Sequence, residues 1–166
     1  MRIKGVELFL SHFTNRLDAK GRVSIPAPFR GILARDGFEG LYVYPSLEAQ
    51  ALDCGGNALL ARITGLLASL PPYSEAHDVY ATALLGTSEV LKLDGEGRAV
   101  LPGNLKDHIG ISSEVTFVGV GEKFQIWEPG RFRAHLEEAK NRVRDLRKGP
   151  GARIAAEQSR AQGARE

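Results

Sequence analysis

A ten-residue stretch occurs twice in this chain, and no other feature constrains its fold as strongly. Leu17-Asp18-Ala19-Lys20-Gly21-Arg22-Val23-Ser24-Ile25-Pro26 aligns with Leu93-Asp94-Gly95-Glu96-Gly97-Arg98-Ala99-Val100-Leu101-Pro102, 76 residues later, with Leu, Asp, Gly, Arg and Pro identical. Internal repetition of this kind means one supersecondary unit used twice. The flanks agree: a β-like stretch leads in, Asp-x-x-Gly reverses the chain, a short apolar strand follows, and Pro opens a helix.

In the first copy, period-two geometry puts Phe13, Asn15 and Leu17 on one side of a strand and Thr14 and Arg16 on the other. Asp18 and Gly21 are the turn-fixing residues: the short carboxylate accepts from nearby backbone N–H groups, and glycine supplies a positive φ. Pro26-Ala27-Pro28 then opens a helix whose apolar face is Phe29, Ile32 and Leu33. Asp36-Gly37 and Gly40 break it, and Leu41 to Tyr44 forms a strand ended by Pro45. The second copy predicts a strand from Glu89 to Leu93, a turn fixed by Asp94 and Gly97, and a strand from Arg98 to Leu101. A helix near Asn104 to Ile109 and strands Val115 to Val120 and Phe124 to Trp127 follow.

Between the copies, Ser46 to Leu52 reads as a helical turn or two, broken at Cys54-Gly55-Gly56. Asn57 is a candidate cap for the next helix, in which Leu59, Ile63, Leu66, Leu67 and Leu70 recur at helical spacing until Pro71-Pro72. Ser74 to Leu84 predicts another helix. A final helix opens at Glu128-Pro129, carries Phe132, Leu136, Val143 and Leu146, and ends at Gly149-Pro150-Gly151. The expected organisation is repeat one over 8–52, connecting helices over 53–82, repeat two over 83–128, a C-terminal helix over 129–148 and a disordered tail over 149–166.

The chain has 166 residues with 43% apolar content, enough for a core without disulfides or metal. Its net charge of +2 hides a pattern. Residues 1–35 carry seven basic and two acidic side chains, residues 36–130 five and thirteen, and residues 131–166 ten and five. Basic ends suit a polyanion, while the acidic middle faces away or meets a neighbouring subunit. A single cysteine, Cys54, excludes an internal disulfide framework and any Cys-pair zinc site. Without a signal-peptide pattern or the roughly 18 apolar residues of a membrane span, the expected location is the cytoplasm, with no membrane partner.

Candidate functional residues gather at the repeated turns. Arg16, Lys20, Arg22 and Arg30 surround the first, and Lys92, Arg98 and Lys106 the second. Such cations neutralise phosphates, and arginine reaches guanine O6 and N7 as a bidentate donor. The same spacing also allows Asp18 to pair with Arg22 and Asp94 with Arg98, fixing the turns and leaving neither arginine for DNA.

Two rival readings exist. Asp18 and Asp94 stand at matching places in two halves, as in two-lobed aspartic peptidases, whose carboxylates share a proton at about 3 Å. The surrounding Asp-Ala-Lys-Gly and Asp-Gly-Glu-Gly, each followed by Arg, are not the Asp-Thr-Gly or Asp-Ser-Gly of those enzymes, so no catalytic residue is assigned. Arg131, Arg133, Arg142, Arg144, Arg147 and Lys148 on the last helix suit either a solvated face or a scaffold that recruits a partner. His12, His77, His108 and His135 lack metal-ligand spacing, and Cys54 lacks a base partner in sequence. No metal or cofactor is expected.

The two Leu-Asp-x-x-Gly-Arg copies, Leu41-Tyr42-Val43-Tyr44-Pro45, Leu85-Gly86-Thr87-Ser88, and Val118-Gly119-Val120-Gly121 before Phe124-Gln125-Ile126-Trp127-Glu128 resemble the MraZ family of bacterial transcriptional regulators, over roughly residues 7–146. The resemblance implies an α+β fold of SpoVT-AbrB type, in which two pseudo-repeated halves form a swapped-hairpin β-barrel with flanking helices. It further implies a ring-shaped homo-oligomer, associated with the nucleoid, that binds double-stranded promoter DNA. The expected target is direct repeats of a G-rich box in the promoter of the division and cell-wall gene cluster, usually the protein's own promoter. The family's Asp-x-x-x-Arg motifs fall on Asp18 with Arg22 and on Asp94 with Arg98, and a DNA-contacting role fits Arg22 best because Lys20 is replaced by Glu96 in the second copy. Arginines frequent in the family's helix before Leu85-Gly86 are missing: the chain has His77 and Asp78 there and no arginine between Ile63 and Leu91.

Overall fold

The computed structural model describes residues 1–163, which fall into two compact units, one ending at Pro129 and the other beginning at Gly130. A small hairpin of β1 (Arg2–Ile3) and β2 (Val6–Glu7), which the repeat does not foretell, begins the first unit. The first copy then supplies β3 (His12–Arg16), β4 (Arg22–Ser24), α1 (Ala27–Arg35), β5 (Leu41–Pro45) and β6 (Leu52–Gly55). Two connecting helices follow, α2 (Asn57–Ala68) and α3 (Glu75–Leu84). The second copy supplies β7 (Glu89–Leu91), β8 (Arg98–Val100), α4 (Gly103–Ile109), β9 (Glu114–Gly119) and β10 (Phe124–Trp127).

The halves are interleaved. In the six-stranded sheet the order is β3-β9-β10-β6-β5-β7, and its pairings are antiparallel. The first strand of each half therefore pairs with a later strand of the other half. The registers repeat as well. Leu41 opposite Leu91 in one ribbon corresponds to Val115 opposite Asn15 in the other. The offset there is 74 residues rather than 76 because α4 has seven residues where α1 has nine. β4 and β8 pair only with each other, with Val23 opposite Ala99, so two equivalent positions of the repeat face one another on the pseudo-twofold axis.

This architecture is α+β but not a closed barrel. Among the described residues β3 and β7 remain sheet edges, and β4 and β8 pair with each other rather than with those edges.

Strand alternation explains how the sheet is covered. Leu41, Val43, Leu52, Cys54, Val115, Phe117, Phe124 and Ile126 face one core together with Val23, Ile25, Ala99 and Leu101, beneath Phe29 and Leu33 of α1 and Leu105 and Ile109 of α4. Phe29 stands at its centre, with ring centroids 5.3 Å from Phe9, 4.8 Å from Phe124 and 5.5 Å from Phe13. Full burial of each such side chain contributes about 1.5–3 kcal/mol. The intervening Tyr42 and Tyr44 face the opposite side and pack with Leu59, Ile63 and Leu67 of α2 and Leu84 of α3.

Three local expectations are corrected. Leu52, expected to end a helical turn, instead begins β6, which pairs with β5 on one side and β10 on the other. Tertiary pairing overrides local propensity there. Leu66, placed by spacing on the buried face of α2, is exposed. The cap of α2 is Gly56 rather than Asn57, and the acceptor comes from afar: the Asp36 carboxylate takes the Asn57 backbone N–H at 2.5 Å, and the Asp36 carbonyl takes the Asn57 side-chain amide at 2.9 Å. An acidic group at a helix N-terminus is favourable there. Ser74 does cap α3, accepting from the His77 N–H at 3.2 Å.

In the second unit α5 (Pro129–Lys148) bears exposed Val143 and Leu146, an i, i+3 pair of Lys140 with Glu137 at 3.6 Å, and basic Arg147 and Lys148 in its last turn. Residues expected to lie in a disordered tail form α6 (Pro150–Gly163), begun by a proline that suits a first turn. Residues 164–166 of that expected tail lie outside the described residues.

Candidate nucleic-acid interface

The two repeated turns have nearly identical backbones. In the first, Asp18 Oδ1 accepts from the N–H groups of Lys20 and Arg22, both at 2.9 Å, and the Asp18 carbonyl accepts from Gly21 at 3.0 Å. In the second, Asp94 Oδ1 accepts from Glu96 at 2.9 Å and Arg98 at 3.0 Å, and the Asp94 carbonyl from Gly97 at 3.0 Å. Gly21 and Gly97 have φ of +75° and +76°, the left-handed region that a side chain disfavours.

Both arginines also pair with their aspartates. Arg22 Nε donates to Asp18 Oδ2 at 2.6 Å, and Arg98 Nε to Asp94 Oδ2 at 2.8 Å. Backbone donation from Arg22, helped by that arginine's side chain, holds the Asp18 carboxyl below its ordinary pKa. Backbone donation from Arg98 does the same for Asp94. A peptidase-type dyad needs one carboxyl raised so that a proton is shared. These two are shifted the other way, each committed to its own arginine.

Pairing through Nε does not exhaust a guanidinium, which carries further donors on its two terminal nitrogens. Here the turns part company. At the second, Arg98 Nη2 lies 3.4 Å from the Glu96 carboxylate, so the arginine sits between two acids, and its bond to Asp94 and their combined charge raise its pKa. At the first, Lys20 occupies the Glu96 place. Among the described residues Asp18 is the one acidic partner of Arg22. The first turn thus carries an arginine with one acidic partner and an exposed lysine, and the second an arginine with two acidic partners.

The other expected residues are distributed unevenly. Arg22, Lys92 and Arg98 line one open groove with Asp94, Val90 and Val100. Arg16 is 83% exposed on edge strand β3 and lies 3.9 Å from Glu114, a loose surface pair. Arg30 is drawn away from the first turn that it follows in sequence: its Nη1 donates to the Glu96 carbonyl at 2.9 Å, and its Nε is buried without a partner. Its contact with the turn of the opposite half is close enough that a Cβ at Gly97 would collide with the guanidinium.

Two further residues shape the site, one of them outside the expected set. Asn15 Nδ2 donates to the Ser24 carbonyl at 2.7 Å, tying β3 to β4 at the base of the first turn. Lys106, assigned by sequence proximity to the second turn, reaches the first: its Nζ would lie 3.8 Å from a Cβ at Gly21. The 76-residue offset relates Arg30 to Lys106 and Gly21 to Gly97, so repeat symmetry combined with either contact points to the other.

Elsewhere, the buried Asp53 carboxylate is matched by Lys123 Nζ and Gln125 Nε2, both at 2.9 Å, and Gln125 accepts from Trp127 Nε1 at 3.0 Å. Burial pushes the Cys54 thiol up, which suits a packed side chain rather than a nucleophile. No helix among the described residues is long and apolar enough to cross a membrane.

Comparison with known proteins identifies the relatives of this arrangement. A family model described as "MraZ protein, putative antitoxin-like" matches residues 83–147. A protein of Methylocella silvestris named "Transcriptional regulator MraZ" is 66% identical over 161 residues, covering 95% of this chain and 98% of its own. Another of that name, from Beijerinckia indica, is 66% identical over 164 residues, covering 97% and 100%. The name extends to a more distant Rickettsia bellii protein, 38% identical over 143 residues and covering 86% and 95%. With similarity of this extent spanning both repeats, the chain belongs to the MraZ family.

Proposed function

We propose that the protein is a sequence-specific, DNA-binding transcriptional regulator that meets double-stranded promoter DNA through its first turn. The observation that carries this reading is the contrast at the repeated motif. Arg22 is held by Asp18 through Nε, with exposed Lys20 two residues before it and no second acidic partner among the described residues, whereas Arg98 pairs with both Asp94 and Glu96. A guanidinium held through Nε retains terminal donors that match guanine O6 and N7, and a neighbouring ammonium matches a phosphate. Asp18 then serves as the positioning residue that pre-orders Arg22. The names of the relatives agree with a role in transcription.

The finer reading has the halves as AbrB-like units exchanging strands, and the chain as one subunit of a ring-shaped homo-oligomer. One subunit offers few phosphate contacts, and linked copies on repeated boxes gain avidity through effective concentration. Its target is direct repeats of a G-rich box in the promoter of the division and cell-wall gene cluster, including its own promoter, which places it in the cytoplasm with the nucleoid.

The test is fluorescence anisotropy on a labelled duplex from upstream of the protein's own gene, against a scrambled duplex of equal composition, over rising salt. Preference for the native duplex at moderate salt, lost in Arg22→Ala with the assembly intact, is the expected result. Retained binding in Arg22→Ala removes that residue from the interface. Equal, steeply salt-sensitive binding to both duplexes reduces the reading to a basic surface.

A further inference from the structure

The two helices that follow the repeated turns reach across the pseudo-twofold axis, each to the turn of the opposite half. Arg30 of α1 lies over Gly97 and donates to the Glu96 carbonyl at 2.9 Å. Lys106 of α4, its equivalent by the repeat offset, lies beside Gly21, its Nζ 3.8 Å from where a Cβ would be. The exchange is reciprocal in place and unequal in chemistry. Arg30 spends a donor on the second turn's backbone, whereas among the described residues Lys106 makes no matching bond to the Lys20 carbonyl and has no acidic partner.

We propose that Lys106 is a phosphate-contacting residue of the first-turn site, so that the DNA-binding surface is composite, with Lys20 and Arg22 from one half and Lys106 from the other. This rests on the reading of the first turn as the DNA-contacting element. A lysine ammonium is a compact point charge on a flexible stem, suited to a phosphate rather than to a base edge. It therefore adds affinity and orientation without sequence preference. The glycine beside it matters for the same reason: with hydrogen at Gly21, the strip between Lys20 and Lys106 stays low enough for a phosphate backbone to approach. Arg30, in the equivalent place, is a positioning residue for the second turn.

The composite site makes a prediction that a structural lysine does not. Phosphate contacts set the salt dependence of binding, each contributing about 0.9 to the slope of log K against log salt concentration. In the full-length protein, Lys106→Gln is expected to weaken the native and scrambled duplexes alike and to lower that slope by about 0.9 per engaged subunit. Lys106→Arg is expected to restore it, and Lys140→Gln, a charge loss in the second unit, to leave it unchanged. An unaltered slope in folded Lys106→Gln, while Arg22→Ala abolishes preference for the native duplex, overturns the proposal and leaves the first-turn reading standing. If the unaltered protein shows no preference for the native duplex, both fall. A measurement independent of any substitution is reductive methylation of the unaltered protein with and without the native duplex, read by mass spectrometry. Protection of Lys106 together with Lys20 supports the composite site, and labelling of Lys106 unaffected by DNA refutes it.

Discussion

The two turns share a backbone and differ in what they leave open. Each aspartate takes two backbone N–H groups and one arginine Nε, and each glycine adopts the same left-handed φ. One position, Lys20 against Glu96, decides whether the arginine gains a second acidic partner. A second pair, Lys106 against Arg30, decides whether the reach from the opposite half adds an uncommitted charge or a backbone clamp. The conserved-looking part of the repeat is thus the scaffold, and the varied positions set the chemistry.

The largest break in that comparison comes from truncating the arginines one at a time. Arg22→Ala is expected to cost each engaged site about 1–3 kcal/mol, the worth of a bidentate base contact, and a multivalent assembly compounds the loss until promoter binding disappears. Arg98→Ala is expected to leave most of the affinity. Anisotropy on the native duplex measures both, and equal losses erase the distinction drawn between the turns.

Substituting the glycines tests the common scaffold instead. A left-handed conformation costs an L-residue about 1–2 kcal/mol, so Gly21→Ala and Gly97→Ala both lower the urea midpoint. Gly97→Ala loses more, because its Cβ displaces the Arg30 guanidinium, whereas at Gly21 the nearest atom is Lys106 Nζ at an ordinary 3.8 Å. Equal midpoints mean that Arg30 adds nothing to the second turn.

Converting one turn toward the other is a gentler probe. Glu96→Lys removes the carboxylate 3.4 Å from Arg98 and gives the second turn the charges of the first. If each turn can engage phosphate once its acid is gone, the salt slope steepens by about 0.9 per new contact. A slope that does not change shows that the second turn faces away from the nucleic acid whatever its charge.

Much of this was legible because the signals are local. Period-two alternation put Phe13 and Asn15 on one side of β3, the half-buried one, Asp-x-x-Gly marked both turns, and proline marked both helix starts. What was not legible joins distant residues. Leu52–Gly55 carries glycine and cysteine rather than β-branched residues, and it becomes a strand through pairing with β5 and β10. Its counterpart Phe124–Trp127 was readable, and mapping it back across the repeat would have found β6. The Asp36 cap lies 21 residues from the helix that it caps, and Arg30 lies 66 residues from its acceptor. Proximity in sequence placed Arg30 and Lys106 at the wrong turns because the halves are interleaved, and that exchange is a property of the whole fold.

The smallest expected effect concerns acid. Asp18 and Asp94 both have pKa values lowered from an ordinary value of 3.8, chiefly by backbone donation from Arg22 and Arg98. A carboxyl depressed in the folded state binds its proton less readily there than in the unfolded chain. Its contribution is therefore complete above the unfolded pKa and lost as pH falls through the lower folded one. The turns should be indifferent to pH across the neutral range and loosen only below about pH 4. Asp18→Asn and Asp94→Asn should each lower the urea midpoint at neutral pH and flatten its decline in acid, because an amide has no proton to gain. Both pairs are partly open to water, so the changes are modest. The comparison sharpens in the acid limb of DNA binding. Protonating Asp18 unfastens Arg22, which the proposed interface uses, while protonating Asp94 unfastens an arginine that it does not. Asp18→Asn should then reproduce at neutral pH part of the binding loss that wild type shows in acid, and Asp94→Asn should not.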